Sequence, residues 1–186
     1  NGLISNLSPM VRGRILQRNS QPFHNQSDSS QRRRGRRLEF NFSYREKLDA
    51  SETIIRGKPV SSELWNWESE RPFGISVEES FARENSIELN DILDFEIQGI
   101  PLTGQVINFR KVRWNSFQPN FFLLFQNGVL NDAPKTYLAA ISKVPMDKRQ
   151  QLKNRIVDKF PNVSVIDVTQ MANTILDISN KLSLSI

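Results

Sequence analysis

Five consecutive apolar residues, Phe121-Phe122-Leu123-Leu124-Phe125, constrain the fold more than any other feature of this chain. A strand sends successive side chains to opposite faces, so an unbroken apolar run reads as a strand buried on both faces. Asn127-Gly128 ends it. The stretch 38–44, Leu-Glu-Phe-Asn-Phe-Ser-Tyr, has the opposite pattern. Its Leu38, Phe40, Phe42 and Tyr44 share one face, and Glu39, Asn41 and Ser43 share the other. This is a strand with one solvated face.

Around these two runs lie short elements of both kinds. Residues 10–16 alternate well enough for a strand, with Arg12 and Arg14 on one face and Val11, Gly13 and Ile15 on the other. Residues 52–56 form a further strand before the turn Gly57-Lys58-Pro59. Trp65 and Trp67 stand in a polar region and read as the cap of a small core. Ser76-Val77-Glu78-Glu79 has the Ser-x-x-Glu pattern of a capping box, so Ser76 is expected to open a helix. Its stripe is Val77, Phe81 and Ala82, and it ends near Asn85-Ser86. A turn at 87–91 follows, then strands at 92–98 and 102–112 joined as a hairpin through 99–101, with Gly104 marking a bend or bulge. Residues 136–144 read as a strand, 146–160 as a helix begun by Pro145 with Leu152, Ile156 and Phe160 as its stripe, and 163–168 as a strand. Strand, helix and strand over 136–168 have the size of one right-handed βαβ unit. A terminal helix from Thr169 stops in mid-pattern at Ile186, as if cut from a longer element.

The 186 residues, 38% of them hydrophobic, suffice for one ordinary domain or two small ones with a real core. No cysteine is present, which removes disulfides, thiolate metal sites and cysteine nucleophiles. The one histidine, His24, lies in a polar stretch without a motif and reads as a solvated side chain; a His-rich metal site is excluded. No run of about 18 apolar residues exists that would span a membrane. No signal peptide is visible, and a chain beginning at Asn1 reads as an excised fragment.

The net charge of +5 is concentrated. Eight of the 25 basic residues lie between Arg12 and Arg37 against Asp28 alone, which leaves 17 basic and 19 acidic residues elsewhere. The cluster Arg32, Arg33, Arg34, Arg36 and Arg37 follows a Ser/Gln/Asn-rich loop that begins at Asn19. A loop this long is a subdomain boundary or a functional arm. Five arginines in it make a candidate for an anionic partner, whether nucleic acid or lipid headgroup, or simply a solvated loop. No RNP aromatic pair, KH-type Gly-x-x-Gly loop or zinc finger accompanies the cluster, which disfavours nucleic acid.

Nothing in the chain carries catalysis. It has no Gly-x-Gly-x-x-Gly, no phosphate-binding Gly-x-x-x-x-Gly-Lys-Ser/Thr and no Gly-x-Ser-x-Gly. The acidic pairs Glu78-Glu79, Asp91 with Asp94, and Glu68 with Glu70 read as surface or capping groups, and Asp91 as a turn residue accepting backbone N–H bonds. The chain is read as a non-enzyme with no catalytic, metal or cofactor residue.

Three stretches carry a resemblance. They are Ser8-Pro9-Met10-Val11-Arg12-Gly13-Arg14-Ile15, the sequence from Ser76 to Asp91, and the densest block, Phe109 to Phe122 with Asn131-Asp132-Ala133-Pro134-Lys135-Thr136-Tyr137 behind it. Together they resemble the large extracytoplasmic domain of predicted ABC-transporter permeases. The superfamily includes the macrolide-exporter, lipoprotein-releasing and cell-division types, and the subgroup is that of large permeases with two periplasmic domains. The resemblance covers most of 8–168. Two departures stand out: Asn90 replaces a usual glycine before Asp91, and the arginine cluster is not part of the family motif.

The resemblance implies an α+β fold, with a porter-like βαβ-containing α/β subdomain from 1–16 and 115–168 and an inserted mixed strand/helix subdomain at 38–114. The first porter piece would lie upstream of Asn1, and 169–186 would lead toward a membrane span. It also implies a non-catalytic periplasmic domain at a bacterial inner membrane. A cytoplasmic ATP-binding-cassette subunit would be the partner, bound through transmembrane helices outside this sequence, and the substrate would be hydrophobic or lipid-linked. The alternatives are a nucleic-acid-binding module using Arg32 to Arg37, separated by salt-dependent binding lost on neutralising the cluster, and an envelope adaptor or lipid-headgroup domain, separated by the absence of a partner ATPase.

Overall fold

The structure, a computed structural model, describes residues 3–4, 7–23, 39–116 and 118–168. The chain divides into two compact units, and 3–142 forms the larger. In chain order this unit holds β1 (Leu3–Ile4), β2 (Ser8–Arg18), β3 (Gln21–Pro22), β4 (Phe40–Tyr44), β5 (Glu52–Gly57), β6 (Phe73–Glu78), helix α1 (Glu79–Glu84), β7 (Ile92–Ile97), β8 (Ile100–Val112), a 3-10 turn at Trp114–Ser116, β9 (Leu123–Phe125), β10 (Thr136–Leu138) and β11 (Ile141–Ser142). Among its described residues the second unit has helix α2 (Met146–Lys159). The fold is mixed α/β, with few helices and a dominant sheet.

The strand pairings of the larger unit close on themselves. β2 pairs with β4, β4 with β9, β9 with β6, β6 with β8, β8 with β7, and β7 returns to β2. Two of these pairs, β4–β9 and β6–β8, are parallel and the rest antiparallel. Closure removes the free edges that an open sheet of these strands would expose. β5 extends β8 beyond the end of β7, and β10 pairs with the start of β2. β2 and β9, from the stretches expected to be porter-like, pair directly with β4, β6 and β7 of the expected insert.

The interior is built by alternation. Val11 and Ile15 of β2, Phe42 of β4, Phe73, Ile75 and Val77 of β6, Leu93, Phe95 and Ile97 of β7, Leu102 and Val106 of β8, and Leu123 and Phe125 of β9 are all buried in one cluster. Arg12 and Arg14 point the other way, as the alternation of β2 requires. Four phenylalanines, Phe42, Phe73, Phe95 and Phe125, fill the centre with ring centroids 4.7 to 5.9 Å apart. Such bulk needs space opposite it, and Gly104 supplies some. A Cβ there would lie 2.6 Å from both Phe73 Cε2 and Ile75 Cδ1. The bulge expected at Gly104 lies instead at Ile107, where β6 and β8 lose register between Val106 and Asn108.

That bulge divides β8 in function. An inserted residue moves the following side chains to the other face of the sheet. Before Ile107, Leu102, Gly104 and Val106 face the core; after it, Phe109 faces the core, and Asn108 and Arg110 turn outward beside Ser76 and Glu78 of β6. Asn108 and Arg110 are nonetheless fully buried, so a second layer covers this outer face. The outer side of β4 and β9 is covered as well. Ser43, expected on a solvated face, is fully buried, and its hydroxyl donates to the Pro9 carbonyl at 2.6 Å.

Other expectations change for identifiable reasons. Ser76 does not open a helix. β6 continues through Glu78 because 75–77 pair with β9 and 73–78 with β8, and this tertiary pairing outweighs the local capping pattern. The cap is Glu78, whose carboxylate accepts the Phe81 N–H at 2.8 Å. The helix does end at Glu84, with Asn85 as its C-cap. The apolar run at 121–125 is a strand only over 123–125, and Phe122 is 42% exposed. The strand expected at 136–144 is two short ones, because β10 pairs with β2 and β11 with β1. The strand expected at 163–168 does not form. It needs a neighbour to pair with, and the described residues of its unit supply none; Val163, Ile166 and Val168 are exposed. The expected βαβ unit over 136–168 is therefore not formed among the described residues. The helix expected from Thr169 lies outside them.

The 92–112 hairpin turns at Gln98 and Gly99, both with positive φ, and Ile97 faces Ile100 across the turn. Asn90 has φ +71°, the left-handed conformation that asparagine tolerates better than most residues. Beside it, the Asp91 carboxylate accepts the Glu88 N–H at 2.8 Å and the Asn19 amide at 2.7 Å. Asn90→Gly is expected to leave the thermal midpoint nearly unchanged. Asn90→Val is expected to cost about 1–2 kcal/mol, the penalty of forcing a β-branched residue into the left-handed region. An equal effect of both substitutions on thermal unfolding would refute this account of the turn.

Candidate functional site

The polar layer created by the Ile107 bulge centres on Arg110. Its Nε donates to Glu52 Oε1 at 3.1 Å, and both side chains are fully buried. Nη1 donates to the Ser76 carbonyl at 2.7 Å and to that of Phe122 at 3.3 Å, and Nη2 donates to the Phe121 carbonyl. Burial pushes the Arg110 guanidinium below its ordinary value, and the adjoining Glu52 carboxylate opposes that shift. The second oxygen of Glu52 accepts from Arg45 Nη1 at 2.9 Å and from the Asp49 N–H at 3.1 Å. Arg45 also pairs with Asp49 and donates to the Pro119 carbonyl at 3.1 Å.

Alternating charges thus run Arg110, Glu52, Arg45, Asp49. The two arginines bind the carbonyls of Pro119, Phe121 and Phe122, so the irregular segment before β9 is fixed by guanidinium donors instead of a strand ladder. These residues include the densest part of the block that carries the family resemblance. In this fold that block is a clamp. In the sequence Arg110 and Lys111 stand side by side between Phe109 and Val112, and only the fold separates them: Arg110 is buried and Lys111 is exposed.

The clamp holds an aromatic row. Phe122 stacks on Phe81 at 5.0 Å and meets Trp114 at 5.2 Å. Phe81 meets Phe40 edge to face at 5.7 Å, and Phe40 meets Phe23 at 6.3 Å. Phe81 is buried, whereas Phe122 and Trp114 are 42% and 47% exposed. The row leads from the core edge to solvent and ends in two rings able to take an apolar group.

On the outer face of β2 lies a polar cleft of about 340 Å³ lined by Arg12, Gly13, Arg14, Glu39, Glu96 and Gln98. Arg14 is paired within it to Glu96 at 3.4 Å and Glu39 at 3.6 Å. The candidate arginines Arg32, Arg33, Arg34, Arg36 and Arg37, and also His24, lie outside the described residues. Trp65 does cap the core, packing on Phe73 at 5.9 Å, while Trp67 stays at the surface. The acidic pairs do not converge. Glu78 is the buried helix cap, Asp91 holds its turn, and Asp94 accepts from the Thr103 hydroxyl at 2.8 Å. Among the described residues no group of three potential metal ligands comes together, and no helix is long and apolar enough to cross a membrane.

No family model matches this sequence. In Escherichia coli strain K12 an uncharacterized ABC transporter permease, YbbP, is 24% identical to it over 160 residues. The match covers 86% of this chain and 18% of that permease, so the chain spans less than a fifth of the relative's length. Over most of its length, this chain is similar to part of an ABC transporter permease.

Proposed function

We propose that this chain is a non-catalytic, extracytoplasmic domain of an ABC permease of the large two-periplasmic-domain kind. The observation that carries the reading is the similarity to a permease along 86% of the chain. The closed ring of strands and its buried charge clamp support it as a rigid body that could be displaced whole. In this reading ATP is bound and hydrolysed by a separate cytoplasmic subunit. Motion reaches the domain through membrane helices of the longer polypeptide and displaces it as a body. The result is export or extraction of a hydrophobic or lipid-linked substrate. The arginine cluster Arg32 to Arg37 is assigned to an anionic partner, and a lipid headgroup fits a membrane-proximal domain better than nucleic acid does.

The test is to express the full-length protein with a tag in its native cell, fractionate the membranes and identify what co-purifies. The expected result is recovery in the inner membrane together with an ATP-binding-cassette subunit. Recovery as a soluble product bound to nucleic acid, released by salt and lost when Arg32 to Arg37 are neutralised, would overturn the reading in favour of a nucleic-acid-binding module. Recovery in the membrane without any ATPase would favour an envelope adaptor.

A further inference from the structure

Between β5 and β6 the chain runs through 58–72 without a helix or strand, and a connection of this length in a compact domain is commonly functional. It is tied by hydrogen bonds within the loop and to the residues after β9. The Trp65 N–H donates to the Asn127 carbonyl at 2.7 Å, and its indole N–H to the Arg71 carbonyl at 3.1 Å. The Gln126 amide donates to the Glu63 carbonyl at 2.9 Å, and the Asn66 side chain accepts the Glu68 N–H at 3.0 Å. Gly128, at φ +100°, lets the loop lie directly on the chain end of β9; a Cβ there would fall 2.5 Å from the Trp65 carbonyl oxygen.

Trp65 anchors the loop in the core, and Trp67 packs edge to face on its outer side at 5.1 Å. Leu64 and Trp67 project, 69% and 49% exposed. The same stretch carries the exposed Glu63, Glu68 and Glu70, with Arg71 the one cation of 61–71, so this loop is acidic on a chain of net charge +5.

We propose that the 61–71 loop is a docking site for a protein partner whose surface sets lysine and arginine side chains around an apolar pocket. Leu64 and Trp67 fill the pocket, and the three glutamates face the basic rim. A tryptophan held rigid before binding gives up little conformational entropy on docking and is a typical energetic centre of an interface. The carboxylates set the approach and register, and they repel anionic lipid and nucleic acid, which are therefore not the occupants. This inference does not depend on the permease reading.

The test places a photoreactive amino acid at position 64 of the full-length protein in its native cells and sequences the cross-linked peptide. One protein should dominate, and its peptide should carry Lys or Arg beside apolar residues. Trp67→Ala should cut the yield at least tenfold. The double substitution Glu68→Lys, Glu70→Lys should do the same, and reversing the charges of the partner's basic residues should restore the adduct. Glu68 and Glu70 are exposed, so this second variant tests the docking without disturbing the fold. The proposal is overturned if no protein adduct forms, if the adduct is lipid, or if the same partner is caught equally by a probe at Ile55, an exposed position on β5. It is overturned too if the lysine variant binds as before.

Discussion

Replacing Glu52 by Gln should lower the unfolding free energy by about 3–5 kcal/mol, the cost of leaving a buried cation without its counter-ion. Glu52 sits between two guanidinium groups, Arg110 at 3.1 Å and Arg45 at 2.9 Å, and its own side chain is fully buried. The neutral amide would keep the volume and lose the charge. Urea unfolding of the 186-residue chain measures the effect as a shift of the midpoint. Arg110→Met should be comparably costly, because it also takes a donor from the carbonyls of Ser76, Phe121 and Phe122. Combining Glu52→Leu with Arg110→Met should cost less than the sum of the single changes, since neither charge is then left alone. A loss below about 1 kcal/mol for Glu52→Gln, the range of an exposed ion pair, would show that water reaches the pair.

Two phenylalanines three positions apart should differ sharply. Phe125→Ala is expected to destabilise by about 3–5 kcal/mol through lost burial and the cavity left behind. Its ring lies 4.7 Å from that of Phe73, 4.8 Å from Phe95 and 5.0 Å from Phe42, in a core with little room to collapse. Phe122→Ala should cost about 1 kcal/mol or less, because much of its ring already faces water and its backbone carbonyl, the group that Arg110 and the Glu78 N–H bind, is retained. Equal losses for the two variants in denaturant unfolding would mean that the aromatic row, not the barrel centre, holds the unit together.

Much of this was legible in the chain. The alternation of 10–16 put Val11 and Ile15 inside and Arg12 and Arg14 outside. The hairpin after Asp91, the capping role of Trp65 and the helix after Pro145 were equally readable. Each depends on neighbours within a few positions, where spacing and backbone preference act. The candidate site was much less so. Arg110 lay inside a recognised motif, yet nothing nearby says which face of β8 it takes or that Glu52, 58 positions away, meets it.

The sequence by itself determined where elements occur and which side of each is apolar, because those follow from the period of the chain and from a few turn residues. Only the tertiary structure decided how the strands join and what covers their outer faces. Ser76 became strand instead of helix cap because β8 and β9 were there to pair with it. Residues 163–168 have the alternation of a strand and joined no sheet, because among the described residues of their unit no neighbour offered an edge. The single extra residue at Ile107 turned Arg110 from the core face of β8 to its outer face, where it became the centre of a buried clamp. Pairing partners and register are properties of two segments at once, so no reading of either segment alone contains them.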